Sequence, residues 1–328
     1  MITRRALVNM ALAAGAAGLL CPTRAGFAAE PPPETTRIRL SRFPFDVACL
    51  APQWVAEELL RAEGFETVEY VSDKGDSDLL AKGKIDVSFY DAPGLVLAVA
   101  ERHPVVGLGG MHGGCFELFG NARVRSILEL RGRTVAVANP GRQAFVAAMA
   151  SYVGLDPRRD VKIVLTEDAA QQFIDGKVDA VLGFPPEPQE FRARKIGRVI
   201  VNTSADRPWS QYFCCFATGN RDFVRKHPVA TKRALRALVK AVDLCAAEPD
   251  KVVRGLVDRG FLKNYDYSRQ ALREIPYRRW REYDSADTIR IFALRMHEVG
   301  MIKSSPQRII ADGMDWRFVN ELKKELKG

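Results

Sequence analysis

Leu80-Ala81-Lys82-Gly83-Lys84-Ile85-Asp86 and Phe173-Ile174-Asp175-Gly176-Lys177-Val178-Asp179 are two copies of one pattern. Each reads as the end of a helix, a glycine turn and the start of a strand. Glycine suits the left-handed cap that closes a helix. The Ile or Val after it opens a buried strand. Seven residues beyond each aspartate stands a proline, Pro93 and Pro186, so the strand ends in similar punctuation both times.

The flanks repeat as well. A strand near Ile38, a helix from Gln53 to Ala62 and a strand from Val68 to Val71 precede the first copy. A strand from Thr134 to Ala138, a helix from Gln143 to Val153 and a strand from Val161 to Leu165 precede the second. In that second helix Phe145, Ala148, Met149 and Tyr152 share one face. Alternation of this kind predicts an α/β protein with parallel strands, built as two Rossmann-like lobes. After a further strand from Tyr212 to Thr218 the pattern turns helical. Thr231 to Ala247 carries Leu235, Leu238, Val242 and Cys245 on one face, and more helical segments follow to Leu326. A helical tail cannot build a third sheet, so it is expected to pack on lobe one. The expected organisation is 37–121 plus 213–328 for lobe one and 122–212 for lobe two.

Residues 1–28 read as an export signal. Arg4 and Arg5 give a positive start, Ala6 to Leu20 are apolar or small apart from Asn9, and Gly26-Phe27-Ala28 suits cleavage after Ala28. The paired arginines fit a twin-arginine or an ordinary secretory route. Cys21 follows Leu20, which is not small, so a lipid anchor is disfavoured. Residues 29–36, with Pro31-Pro32-Pro33, read as an extended linker. The expectation is a periplasmic protein. The net charge of +9 is spread among acidic residues, without a basic run interleaved with aromatics, so no nucleic-acid partner is expected.

Five cysteines lie beyond the export segment: Cys49, Cys115, Cys214, Cys215 and Cys245. An odd count leaves one thiol unpaired in a monomer, and adjacent Cys214 and Cys215 are poorly placed to bond each other. No CxxC spacing marks a structural zinc site, and neither metal nor cofactor is expected. Ser/His/Asp, Walker and HExxH patterns are missing, and there are four histidines.

Four passages carry a family resemblance. They are Ala51-Pro52-Gln53-Trp54-Val55-Ala56-Glu57-Glu58 with Glu63-Gly64-Phe65; the Gly-Lys-Ile-Asp entry with Asp91-Ala92-Pro93; Leu128-Glu129-Leu130-Arg131-Gly132-Arg133-Thr134-Val135-Ala136-Val137; and Phe223 to Leu238 around His227-Pro228. In order and spacing the chain from about Ile38 to Ala247 resembles the solute-binding proteins of the nitrate, sulfonate and taurine type, a superfamily that includes thiamine-pyrimidine synthase-like proteins. The resemblance implies a periplasmic-binding fold of type II with two crossovers at a hinge. It also implies a small-molecule ligand in the cleft and an ABC-type membrane permease as partner. The loop Ser41-Arg42-Phe43-Pro44-Phe45-Asp46 departs from the family in being bulkier and more apolar. A larger, partly apolar ligand is therefore expected in place of a simple inorganic anion. The reading is a monomeric binding protein and not an enzyme. The alternatives are a synthase-like enzyme, whose cysteine-rich loop Phe213-Cys214-Cys215-Phe216 resembles in part, with His112 able to join it, and a solute sensor.

Ligands of α/β sheets sit beyond the carboxyl ends of the strands, which singles out five loops. Phe43 and Phe45 offer apolar walls. Asp46 offers an acceptor, or caps the next helix. Tyr90 and Asp91 follow the first repeat, Tyr90 either stacking on a ligand or packing under the hinge. In Gly110 to Glu117, His112 is a candidate donor or a structural histidine, and Gly113 lets a ligand approach the backbone. Gly141, Arg142 and Gln143 open the lobe-two helix, where exposed N–H groups and the guanidinium favour an anion, unless Arg142 faces water. Phe184, Trp209 and Tyr212 complete an aromatic clamp, with core packing as the alternative.

Overall fold

A computed structural model describes residues 30–43, 46–72 and 77–326, the side chains of Ser77 and Asp78 excepted. The export segment with Cys21, and Phe45, lie outside the described residues. Pro33–Gly328 forms one compact unit. The described residues form ten strands: β1 (Arg37–Arg42), β2 (Thr67–Ser72), β3 (Val87–Asp91), β4 (Val105–Gly113), β5 (Glu117–Gly120), β6 (Arg133–Val137), β7 (Val161–Leu165), β8 (Ala180–Gly183), β9 (Arg198–Asn202) and β10 (Phe213–Asn220). They form two sheets, ordered β2-β1-β3-β10-β4 and β7-β6-β8-β5-β9. The two orders are the same, position by position. In each, three parallel strands are followed by one antiparallel strand, β10 or β5, that enters directly from the other sheet.

The repeated heptad explains why both sheets open alike. Gly83 and Gly176 sit at φ +65° and +70°, the left-handed region that glycine adopts without a Cβ penalty. Each aspartate then ties its strand to the neighbouring parallel strand, β1 or β6. The Asp86 carboxylate accepts the Arg39 N–H at 2.8 Å, and Asp179 accepts the Thr134 N–H at 3.1 Å. The matching backbone bonds run from Asp86 N–H to the Arg39 carbonyl and from Asp179 N–H to the Thr134 carbonyl. Arg39 adds a guanidinium to Asp86 at 2.6 Å.

The chain passes between sheets twice, at 114–116 and at 203–212. The expected boundary at 121 is therefore too late, because Glu117–Gly120 pairs with β8 and β9 in the second sheet. Gly110 to Gly113, expected as loop, are the end of β4, held by β10. Their glycines admit protein and not ligand: a Cβ on Gly110 would lie 2.2 Å from the Phe213 ring. The two passages touch. Thr203 accepts the Phe116 N–H through Oγ1 at 2.9 Å and donates that hydroxyl to the Phe116 carbonyl at 2.8 Å. A Cβ on Gly114 would stand 1.9 Å from the Thr203 carbonyl oxygen.

The main core joins β1, β3, β4 and β10 to the helices around Trp54 and Trp280, and a smaller one in lobe two gathers Phe119, Phe173 and Phe191. Helix Pro228–Ala247 buries Leu235, Leu238, Val242 and Cys245, the face its spacing marks out. Tyr152 departs from its helix's apolar face and is 47% exposed. The linker ends earlier than expected. Glu34 accepts the N–H groups of Val229 and Ala230 at 2.9 and 2.8 Å, which satisfies orphan donors at the start of that long helix. The C-terminal helices pack on lobe one but also reach lobe two. Gln189 donates to Glu274 at 2.8 Å, and Phe292 meets Phe145 with ring centroids 5.0 Å apart. No helix among the described residues is long and apolar enough to cross a membrane.

Candidate functional site

A cavity of about 740 Å³ lies between the two sheets. Its walls come from residues at or just past the carboxyl ends of parallel strands: Phe43 after β1, Asp91 ending β3, Asn139 after β6 and Phe184 after β8. This is where open α/β sheets take ligands. The lobes meet around it. The Ala48 N–H donates to the Pro185 carbonyl at 3.0 Å. A Cβ on Gly141 would fall 2.7 Å from the Asp91 carboxylate, so only glycine permits this approach.

Local sequence sets each group. Asn139 caps helix Pro140–Tyr152 by accepting the Arg142 N–H at 2.9 Å, with Pro140 in the first turn where its missing N–H costs nothing. Asp91 likewise caps helix Ala92–Ala100 through the Gly94 N–H at 2.8 Å. The N-terminus of the lobe-two helix, expected to await an anion, thus faces the protein's own Asp91. The Arg142 guanidinium reaches further into the cavity. It is 7% exposed and lies over the Phe184 ring, 3.4 Å from its centroid, with Phe116 at 5.9 Å. Burial pushes its pKa down, against the fields of Glu187 and Asp91, yet among the described residues no carboxylate forms an ion pair with it. Glu187 takes the Phe184 N–H at 3.2 Å. Burial raises its carboxyl to about 6, with Arg142 pulling the other way. Burial raises Asp91 too, opposed by the Gly94 N–H and Arg142.

Seven of the thirteen residues singled out from sequence line this cavity: Phe43, Asp46, Tyr90, Asp91, Gly141, Arg142 and Phe184. Asp46 does not cap the helix that follows it. Its carboxylate accepts the N–H groups of Lys263 and Asn264 at 2.9 and 3.3 Å, tying the loop to the C-terminal helices. His112 is fully buried in β4 behind the cavity, edge-on to Tyr277. Gly113 packs against Pro276, and Gln143 stays outside the lining. Trp209 is core, set among Phe145, Tyr152 and Phe292, and Tyr212 lies off the cavity beside it. His112 and Gly113 miss the site because β4 is paired with β10, and Trp209 because it packs on Phe292 of the C-terminal helices. Cys49 and Phe116, within the loops singled out but given no role of their own, and Cys215, read only as part of a synthase-like loop, are also in the lining. Three separate segments bring them together.

A family model described as NMT1/THI5 like matches residues 62–252. Among curated proteins, the 4-amino-5-hydroxymethyl-2-methylpyrimidine phosphate synthases THI12 and THI5 of Saccharomyces cerevisiae are each 23% identical over 197 residues, covering 56% of this chain and 58% of theirs. The chain thus spans little more than half the length of those relatives. Among solved structures, the periplasmic nitrate-binding protein NrtA from Synechocystis PCC 6803 has a TM-score of 0.75 at 16% identity, over 90% of each chain. The alkanesulfonate-binding protein SsuA from Xanthomonas axonopodis pv. citri, bound to MOPS, has a TM-score of 0.70 at 15% identity, over 88% of this chain and all of that one. The two mixed sheets have the periplasmic-binding fold of these neighbours.

Proposed function

The chain belongs to the NMT1/THI5-like family, and from that membership we propose that it is the extracytoplasmic solute-binding component of an ABC-type importer, holding a small, partly apolar organic anion between its lobes. One observation carries the reading: Arg142 is a buried cation, without an ion-pair partner among the described residues, in the wall of the inter-lobe cavity. A buried charge is costly until something pairs with it. A ligand carboxylate or sulfonate supplies that partner, and the planar guanidinium receives it with two N–H groups. Phe43, Phe116 and Phe184 give the same ligand an apolar bed. A ligand touching both lobes stabilises the closed arrangement, which a permease then recognises.

A thermal-shift screen of aromatic and aliphatic carboxylates, sulfonates and their neutral amides tests the reading. An organic anion at a hundredfold excess over its Kd adds about 2.7 kcal/mol of stability to the wild type. Arg142→Met abolishes that gain while keeping the fold. Equal stabilisation by the neutral amide, or an undiminished response in Arg142→Met, contradicts the assignment. The synthase reading draws on the names of the curated relatives. Turnover assays with product analysis separate it from binding alone.

A further inference from the structure

Glu117 stands at the first position of β5, just after the chain has crossed into lobe two. The residue is 3% exposed. Its Oε1 accepts from Asn202 Nδ2 at 3.3 Å and lies 3.3 Å from the Arg192 guanidinium, on helix Glu187–Ala193. Its Oε2 is buried with no hydrogen-bond partner among the described residues, and so is the side-chain oxygen of Gln189 on the same helix. Buried acceptors left without a donor are costly.

Arg192 also reaches out of lobe two. Its guanidinium lies 2.5 Å from Glu274, and Gln189 donates to that same carboxylate at 2.8 Å. Glu274 ends helix Tyr265–Glu274, which packs on helix Pro249–Asp258 and on the turn Ala48–Leu50 of lobe one. One guanidinium is thus shared by carboxylates from opposite lobes. A third carboxylate, Asp206, approaches from the turn after β9, where it accepts the Asn202 N–H at 2.7 Å. β8 brings no charge, because Gly183 is the residue paired with Glu117. Three carboxylates against one guanidinium favour a proton on the most buried of them. Burial raises the Glu117 carboxyl to about 7, with Arg192 pulling it down and Glu274 and Asp206 pushing it further up.

We propose that this cluster is a pH-sensitive latch between the lobes, in which Glu117 holds a proton while the lobes are together and releases it to solvent when they part. Parting takes Glu274 away with lobe one, admits water to Glu117 and leaves Arg192 to it alone. All three changes favour the carboxylate. The closed form binds the proton more tightly, so closure gains an advantage that is fully present below the open-form value and lost as pH rises through about 7. Each unit by which Glu117 titrates lower in the open form changes the ratio of open to closed molecules about tenfold. The latch rests on the lobe motion of the importer reading and not on its anion. It is also separate from Glu187, which lies in the cavity wall.

Small-angle scattering on the full chain without ligand tests the latch. The wild-type radius of gyration should rise between about pH 6 and about pH 8. Glu117→Gln, a neutral mimic of the protonated form, should stay contracted throughout. Glu274→Gln, at a partly exposed side chain, removes the charge from the other lobe and should shrink the response. Glu187→Gln should retain it. Carboxyl-¹³C labelling of glutamate adds a readout for one residue. The resonance missing from Glu117→Gln should titrate near 7 in the wild type, well above the ~4.3 of a free glutamate. A wild-type radius that ignores pH, a response undiminished in Glu117→Gln or Glu274→Gln, a response abolished by Glu187→Gln, or a Glu117 resonance in the ordinary carboxylate range would each overturn the proposal. None of these readings involves an organic anion, so failure here leaves the Arg142 assignment standing, and failure of the anion screen leaves the latch standing.

Discussion

Arg142 and Glu187 face the same cavity with opposite charge and unequal freedom. Arg142 stays cationic, whereas burial lifts Glu187 to about 6, within reach of ordinary buffers. When Glu187 is ionised it offsets part of the Arg142 field and repels a bound anion. A sulfonate ligand, charged throughout, should therefore bind more tightly as pH falls from about 7.5 to about 5.5. Calorimetry should show Glu187→Gln flattening that dependence and raising affinity at neutral pH. An unchanged slope in the variant would exclude Glu187 as its source. The linked stability effect has a definite sign. The folded state holds this proton more tightly than the unfolded chain, so this residue's contribution to stability falls as pH rises between its unfolded and folded values. Arg142 was legible in the sequence because Asn139-Pro140-Gly141 announces a capped helix opening beside it. His112 was legible beside Cys214 and Cys215 through the resemblance to the synthases, whereas Cys49 and Cys115 were not, because their approach to it depends on tertiary register.

At the scale of elements, the duplicated heptad conveyed both lobes because its glycine and aspartate perform the same local tasks in each: a left-handed turn and a clasp on the neighbouring strand. β4 escaped notice because Gly107, Gly109, Gly110 and Gly113 give it the composition of a loop. Those glycines answer to neighbours such as Phe213, Val319 and Met314, which a sequence cannot display. β5 is short and is placed by pairing with β8 and β9, which is why the lobe boundary was set too late. The hinge gives a sharp prediction. Gly114→Ala drives a methyl into the Thr203 carbonyl, a backbone atom with little room to yield, and should cost about 3 kcal/mol or more in urea unfolding. A loss below about 1 kcal/mol would show that the two crossovers separate easily. Glu34→Ala should cost about 1 kcal/mol, the usual worth of a helix cap. A urea midpoint equal to that of the wild type would mean that water replaces the carboxylate without loss.

The described residues form two sheets of identical strand order that exchange one strand each and enclose a cavity at their carboxyl ends. The two α/β lobes were legible because they are written in repeated local signals, and the two crossovers and the cleft were implied by the family resemblance. The cavity's occupant is not written that way, since its walls combine side chains from both lobes whose neighbours are distant in the chain. The C-terminal helices also matter at this scale. Their contacts to lobe two through Glu274 and Phe292 have to break before the lobes separate. The central claim is that an anion held by Arg142 draws the lobes together. Small-angle scattering tests it most directly, comparing wild type and Arg142→Met with and without a saturating organic anion from the thermal screen. The radius of gyration should fall on ligand addition for the wild type and stay constant for the variant. Superimposable wild-type curves at saturation, or equal contraction in Arg142→Met, would contradict the account.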